Sequence, residues 1–195
     1  MFSRDKNLHA LERFIYKHLG AREASAYLFA NIVGVHINIK TAAQCELPAA
    51  QADAKTMWLL TKKLKAIGLF ALFDAKENDN QVFYVAKSRK RAESLRSAFQ
   101  KLHNQGSTAE TNTIIGTLLG YPASAVQYYI RLHPENGISD NHKEMMARNR
   151  FYAHSLAHEN EEFAAYEAPL YKYLSRHCPR TAKILTGNKS KRWLD

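Results

Sequence analysis

Cysteine is scarce: the chain has only Cys45 and Cys178, far apart and outside any C-x-x-C pattern. That argues against a disulfide framework or an all-cysteine zinc site and favours a reducing, cytoplasmic setting. Long apolar runs are missing too. The longest weakly polar stretch, 24–39, is broken by Asn31, His36 and Asn38, short of the roughly 20 residues that span a bilayer. No membrane association is therefore expected. The opening "MFSRDKNLHALERF" lacks the uninterrupted apolar core of a secretory leader. There is no glycine-rich phosphate loop, no Ser/His/Asp constellation and no nucleophilic cysteine motif. His177-Cys178-Pro179 offers only an adjacent pair, and neighbours in sequence need not meet in a reactive geometry. Catalysis is accordingly not the first expectation.

Acidic residues are the other shortage. Net charge is +10, and it is uneven. Residues 51–106 carry 11 Lys/Arg against 5 Asp/Glu, residues 107–150 carry 4 of each, and 172–192 carry 7 basic residues and no acidic one. Such a surface favours polyanions, nucleic acid before anionic lipid. Hydrophobic residues at 46% and charged residues at 24% are the balance of a folded globular chain.

Leu8, Leu11, Phe14, Ile15 and Leu19 recur at helical spacing, with Gly20 placed to stop the helix. A second helix is expected over 21–32, and "VHINIK" (35–40) alternates like a short strand. Pro48 reads as the start of a long helix ending near Ile67 and Gly68. Apolar runs 69–73 and 82–86 flank the polar stretch Asp74–Gln81, predicting a β-hairpin with a long loop. Ser88 is placed to cap a helix beginning "RKRAESLRSAFQKL". A helix followed by a hairpin resembles the winged-helix arrangement, with Lys62, Lys63 and Lys65 on a reading helix and Lys76 at the wing tip. "HNQGSTAET" (103–111) is the clearest linker, dividing a basic α+β part, 1–106, from a helical part, 107–195, whether or not the two fold as one compact unit. The expected class is α+β and mainly helical: N-terminal helices with a small hairpin, then a helical C-terminal part.

"IIGTLLGYPASAVQYYI" (114–130) is the most organised stretch. Its pattern Ile115-Gly116-x-x-Leu119-Gly120, followed by Val126 and Ile130, resembles the helix-turn-helix consensus. There a small residue such as Gly116 lets two helices cross closely, and a turn glycine such as Gly120 takes a left-handed conformation. The resemblance implies a second helix presenting Ser124, Gln127, Tyr128 and Arg131, with Gln127 suited to adenine and Arg131 to phosphate or guanine. The same residues, with "FYVAKSRKRAESL" before and "HCPRTAKIL" after, resemble an uncharacterised prokaryotic family. In it L-L-G-Y-P is followed by a cysteine pair, here replaced by Ser124 and Ala125. That resemblance implies a structural corner and no particular activity.

"FYAHSLAHENEEFAAYEAPLY" holds the only metal-like spacing: His154, His158 and Glu161 share one face of a continuous helix and form a candidate zinc or iron set. Met145, Asn149, Tyr152, Leu156, Glu159, Phe163, Tyr166 and Leu170 step by four and three as a buried seam does. The histidines therefore face outward. Glu159 falls in the seam beside Tyr152, where a carboxylate needs a partner or becomes a proton donor. The tail "TGNKSKRWLD" sets a tryptophan among three cations, suited to base stacking.

The leading expectation is a basic protein that binds DNA or RNA without catalysis and without a cofactor. The candidate residues are Lys62, Lys63, Lys65, Arg89, Lys90, Arg91, Gln127, Tyr128 and Arg131. The alternatives are a small-molecule-binding protein or metal-dependent enzyme on the 145–170 helix, using Glu159 and Tyr152 or a zinc or iron on His154, His158 and Glu161, and a homodimer formed through that helix.

Overall fold

A computed structural model describes residues 2–77, 80–132 and 158–187 of the chain. Helix α1 (Phe2–Leu19) buries Leu8, Leu11, Ile15 and Leu19 along one face, and Gly20, at φ 77°, ends it. Helix α2 (Glu23–His36) is buried almost all round. After a turn through Asn38 come strand β1 (Ala42–Pro48), a 3₁₀ turn (Ala49–Gln51) and helix α3 (Ala54–Ala66). Asp53 caps α3, accepting from the Thr56 backbone N–H at 2.9 Å and the Thr56 hydroxyl at 2.8 Å. These hydrogen bonds hold the Asp53 carboxyl below its ordinary pKa.

Strands β2 (Phe70–Glu77) and β3 (Asn80–Ala86) complete a three-stranded antiparallel sheet in the order β1-β3-β2. Helix α4 (Arg89–Gln105) starts at the Ser88 cap, and α5 (Ala109–Leu119) at a Thr108/Thr111 capping box. Helix α6 (Ala123–Leu132) follows the Gly120 corner. Beyond it come a helical turn α7 (Glu159–Glu162), a π-helical turn (Phe163–Glu167), α8 (Ala168–His177) and α9 (Pro179–Thr186).

Side chains alternate across a strand, and here both faces are covered. Ala43, Cys45, Leu47, Phe83 and Val85 face a core built by α1, α2, α3, α8 and α9. Ala42, Val82, Tyr84 and Ala86 face α4 and α5. The described protein is thus helices, sheet, helices in three layers: a mainly helical α+β fold, as expected. None of the described helices is long and apolar enough to cross a membrane.

Three local expectations fail for physical reasons. "VHINIK" is no strand: α2 continues to His36, and the strand begins at Ala42. A run buried on every side reads alike in either period. Pro48 closes β1 opposite Asn80 rather than opening a helix, because Asp53 supplies the cap. The hairpin is tighter than expected, since pairing extends to Glu77 and Asn80. Asp74, beside an irregularity between Phe73 and Lys76, is held within the strand by Arg96 at 2.8 Å, and the Gln81 side chain donates to the Asp74 carbonyl. Asp74 and Gln81, residues that read as part of the turn, are therefore satisfied in strand geometry. With both sheet faces covered, the hairpin is a structural layer and not a projecting wing over its described length.

Candidate nucleic-acid interface

Phe70 of β2, Ala86 of β3 and Ala42 of β1 lie in one row across the sheet. The last turn of α3 and the first turn of α4 therefore emerge at the same end, on opposite faces of the edge strand β2. The end of α3 is fixed by its carbonyls: Asn7 donates to Ala66 O at 3.2 Å, and His36 Nδ1 lies 2.9 Å from Ile67 O. Helix α4 begins with exposed Arg89, Lys90 and Arg91 after exposed Lys87, and its first turn has no acidic residue. Cations there add to the positive end of the helix dipole instead of offsetting it. Among the described residues, Arg89 is the member of this group with an ion-pair partner, Glu93 at 2.8 Å.

On α3, Lys62 Nζ sits 3.8 Å from the centroid of the Trp58 ring. Trp58 is 55% exposed, and exposed Lys65, seven residues on, shares its face at about 100° per residue. Lys63 turns aside, half-buried over the Phe14 ring. Phe70, 45% exposed, opens the edge strand β2 opposite Ala86, on the face that α4 covers. Sequence reading overlooked Trp58 and Phe70 because it credited large apolar residues to the core. The available signal was Trp58 four residues before Lys62.

The 114–131 corner belongs to the same end. Thr41, just before β1, donates its hydroxyl to the Leu118 carbonyl. Gly120 is left-handed (φ 81°), and a Cβ there would lie 2.9 Å from Thr41 N. A Cβ on Gly116 would lie 2.6 Å from Val126 Cγ2, so α5 and α6 cross closely there. On α6, Gln127 and Arg131 are exposed, Tyr128 is half-buried, and Ser124 donates to the Glu162 carboxylate. An open groove of about 730 Å³ runs between α4 and α5, bordered by Lys90, Ser94, Ser97, Thr113 and Thr117.

A buried polar centre lies behind this end. Lys40, 5% exposed, donates to Asn31 Oδ1 at 2.6 Å and sits 5.6 Å from the Tyr121 ring centroid. Burial pushes its pKa down to about 8, opposed by nearby Cys45 and by Glu167 of the π-helical turn. Burial, reinforced by Glu167, raises Tyr27 and Tyr121 to about 12, and burial raises the Cys45 thiol to about 12.

Of the metal and seam candidates named from sequence, only part falls among the described residues. His158 and Glu161 are exposed and 3.3 Å apart, while Tyr152 and His154 lie outside the described residues, as does the Glu159 side chain. The buried carboxylates on this stretch are Glu162 and Glu167, and the π-helical turn changes the phase on which the seam arithmetic depends. His177 stacks on Tyr173 at 4.4 Å, and Cys178 is buried. A different group of metal-ligand types, His9, Glu12 and Cys178, has its donor atoms within 4.8 Å of one another. Comparison with protein-family models, curated proteins and solved structures finds no match to the chain.

Proposed function

We propose that the protein binds nucleic acid without catalysing a reaction, through the end of the sheet at which α3 ends and α4 begins. One observation carries the reading: the acid-free basic start of α4 lies at the end of the sheet where exposed Phe70 opens the edge strand, and α3 adds a second exposed aromatic–cation pair, Trp58 and Lys62. Arg89, Lys90, Arg91, Lys62 and Lys65 supply phosphate contacts, and Trp58 and Phe70 supply faces on which unpaired bases stack. Single strands are thus the favoured ligand. The α5–α6 corner offers Gln127, Tyr128 and Arg131 as a helix-turn-helix-like element. Two buried cysteines fit a cytoplasmic setting.

Fluorescence anisotropy with labelled single-stranded DNA, single-stranded RNA and duplex DNA, over a salt series, tests the reading. Affinity is expected to fall steeply as salt rises. Reversing Arg89, Lys90 and Arg91 to glutamate should flatten the log–log salt slope by about 2, at roughly 0.7 per phosphate contact on a single strand. Trp58→Ala should cost about 1–3 kcal/mol if a base stacks there. No binding to any of the three ligands at low salt would sink the proposal. Preference for a duplex, with sequence selectivity altered by Gln127→Ala, would transfer base contact to α6.

A further inference from the structure

The first helix and the last described helix meet in a buried polar knot. Glu12 of α1 accepts at Oε1 from the Thr181 backbone N–H at 3.2 Å and from its hydroxyl at 2.5 Å. With the threonine proton committed to the carboxylate, the Tyr16 hydroxyl, 2.6 Å away, donates to Thr181 Oγ1. Burial raises Tyr16 to about 12, so it remains a donor. The knot leaves the other carboxylate oxygen, Oε2, 3.9 Å from His9 Nδ1, one helical turn earlier on α1. Cys178, 0% exposed and immediately before Pro179, the first residue of α9, completes the group.

We propose that His9, Glu12 and Cys178 form a binding site for a divalent cation of zinc type. The donor set is one imidazole nitrogen, one carboxylate oxygen and one thiolate sulfur, which suits a borderline-soft tetrahedral ion with water in its fourth position. Metal–donor bonds of about 2.0–2.3 Å place tetrahedral donors roughly 3.3–3.8 Å apart, so the group must contract by about 1 Å. The His9 side chain, 44% exposed, is the part free to swing and also the side from which an ion enters. Thr181 and Tyr16 supply the outer hydrogen bonds that aim a ligating carboxylate. Binding releases the thiol proton to solvent and ties α1 to the start of α9 across a sequence separation of 169 residues. An ion held there stabilises the folded chain by mass action. The site is independent of the nucleic-acid surface, which uses none of these residues.

The test is zinc titration of the full-length protein against a chromophoric chelator, with cobalt substitution as the spectroscopic readout. One zinc per chain, a thiolate-to-cobalt charge-transfer band and a higher melting temperature with zinc are expected. His9→Ala, at a half-buried position, should keep the fold by circular dichroism yet weaken binding at least about 10-fold and abolish the thermal shift. Cys178→Ser should remove the charge-transfer band, and Thr181→Val should weaken binding about 10–100-fold. Absence of stoichiometric binding, or a cobalt spectrum without the thiolate band, would overturn the site. So would binding that survives His9→Ala but is lost in His154→Ala/His158→Ala.

Discussion

Lys40 shows how much a single residue can conceal from a sequence. It ends "VHINIK" as an ordinary surface-type cation, yet it is buried, its stem against Gly34, where a Cβ would lie 3.3 Å from Lys40 Cγ. Nothing local announces this, because the residues that receive it, Asn31, Tyr121 and Glu167, arrive from three separate helices or turns. The same holds for Glu167: a partnered carboxylate in the 145–170 segment was legible as a requirement, but which glutamate meets it depends on a π-helical turn that periodicity does not show. At pH 7, below its pKa of about 8, Lys40 is charged, and Glu167 is one of the groups that oppose the fall of its pKa. Lys40→Met leaves the Asn31 side-chain oxygen without its donor and takes the cation away from the neighbourhood of Glu167, and is expected to destabilise the fold by about 1–3 kcal/mol. Adding Glu167→Gln should recover a substantial part. Urea unfolding of the two single variants and the double variant gives the coupling directly. Strictly additive losses would show that the two residues do not compensate each other.

Among elements, α1, α4 and the 114–131 corner were legible because their signals are local. Gly20, Ser88 and Gly120 act on the chain within a turn of themselves. Strand β1 was not legible. "AAQCELP" has modest strand propensity and forms because β3 and α2 cover it. At the corner the close approach lets an expectation be quantified. Gly116→Ala brings a methyl to 2.6 Å from Val126 Cγ2, a distance that forces the helices apart or the valine off its rotamer. A loss of about 1–3 kcal/mol is expected. Val126→Ala vacates the same space, so the double variant should be less unstable than the two single losses summed. Chemical denaturation checks this, and a Gly116→Ala variant as stable as the parent would show that the helices slide apart without cost.

At the scale of the whole molecule, the division at 103–111 marks a change of composition, while the described core draws on both sides of it. Tyr84, Leu95, Ile115 and Leu119 share one cluster, and Leu170, Tyr171 and Leu174 join the other with the N-terminal helices. Burying so many titratable groups gives the fold a pH dependence whose sign can be worked out. Cys45 and Tyr16, Tyr27 and Tyr121 are all raised to about 12, from ordinary values of 9.0 and 10.0. Their stabilising contribution is complete below those ordinary values and is lost as pH rises towards 12, because the unfolded chain gives up its protons first. Lys40 runs the other way: its contribution is present above its ordinary value of 10.5 and is lost as pH falls through about 8. Between pH 8 and 9.0, below the ordinary values of the thiol and the phenols, the Lys40 contribution should make stability rise gently. Above 9.0 the thiol begins to oppose it, and above 10.0 the three phenols join, so four groups outweigh one and stability should fall steeply. Cys45→Ala removes the earliest of the four and should move the onset of the decline from about 9.0 towards 10.0. Urea midpoints across this range decide the matter. A parent protein whose stability stays level or climbs beyond 10.5 would mean that these side chains reach solvent and that the sheet is not closed on both faces as described.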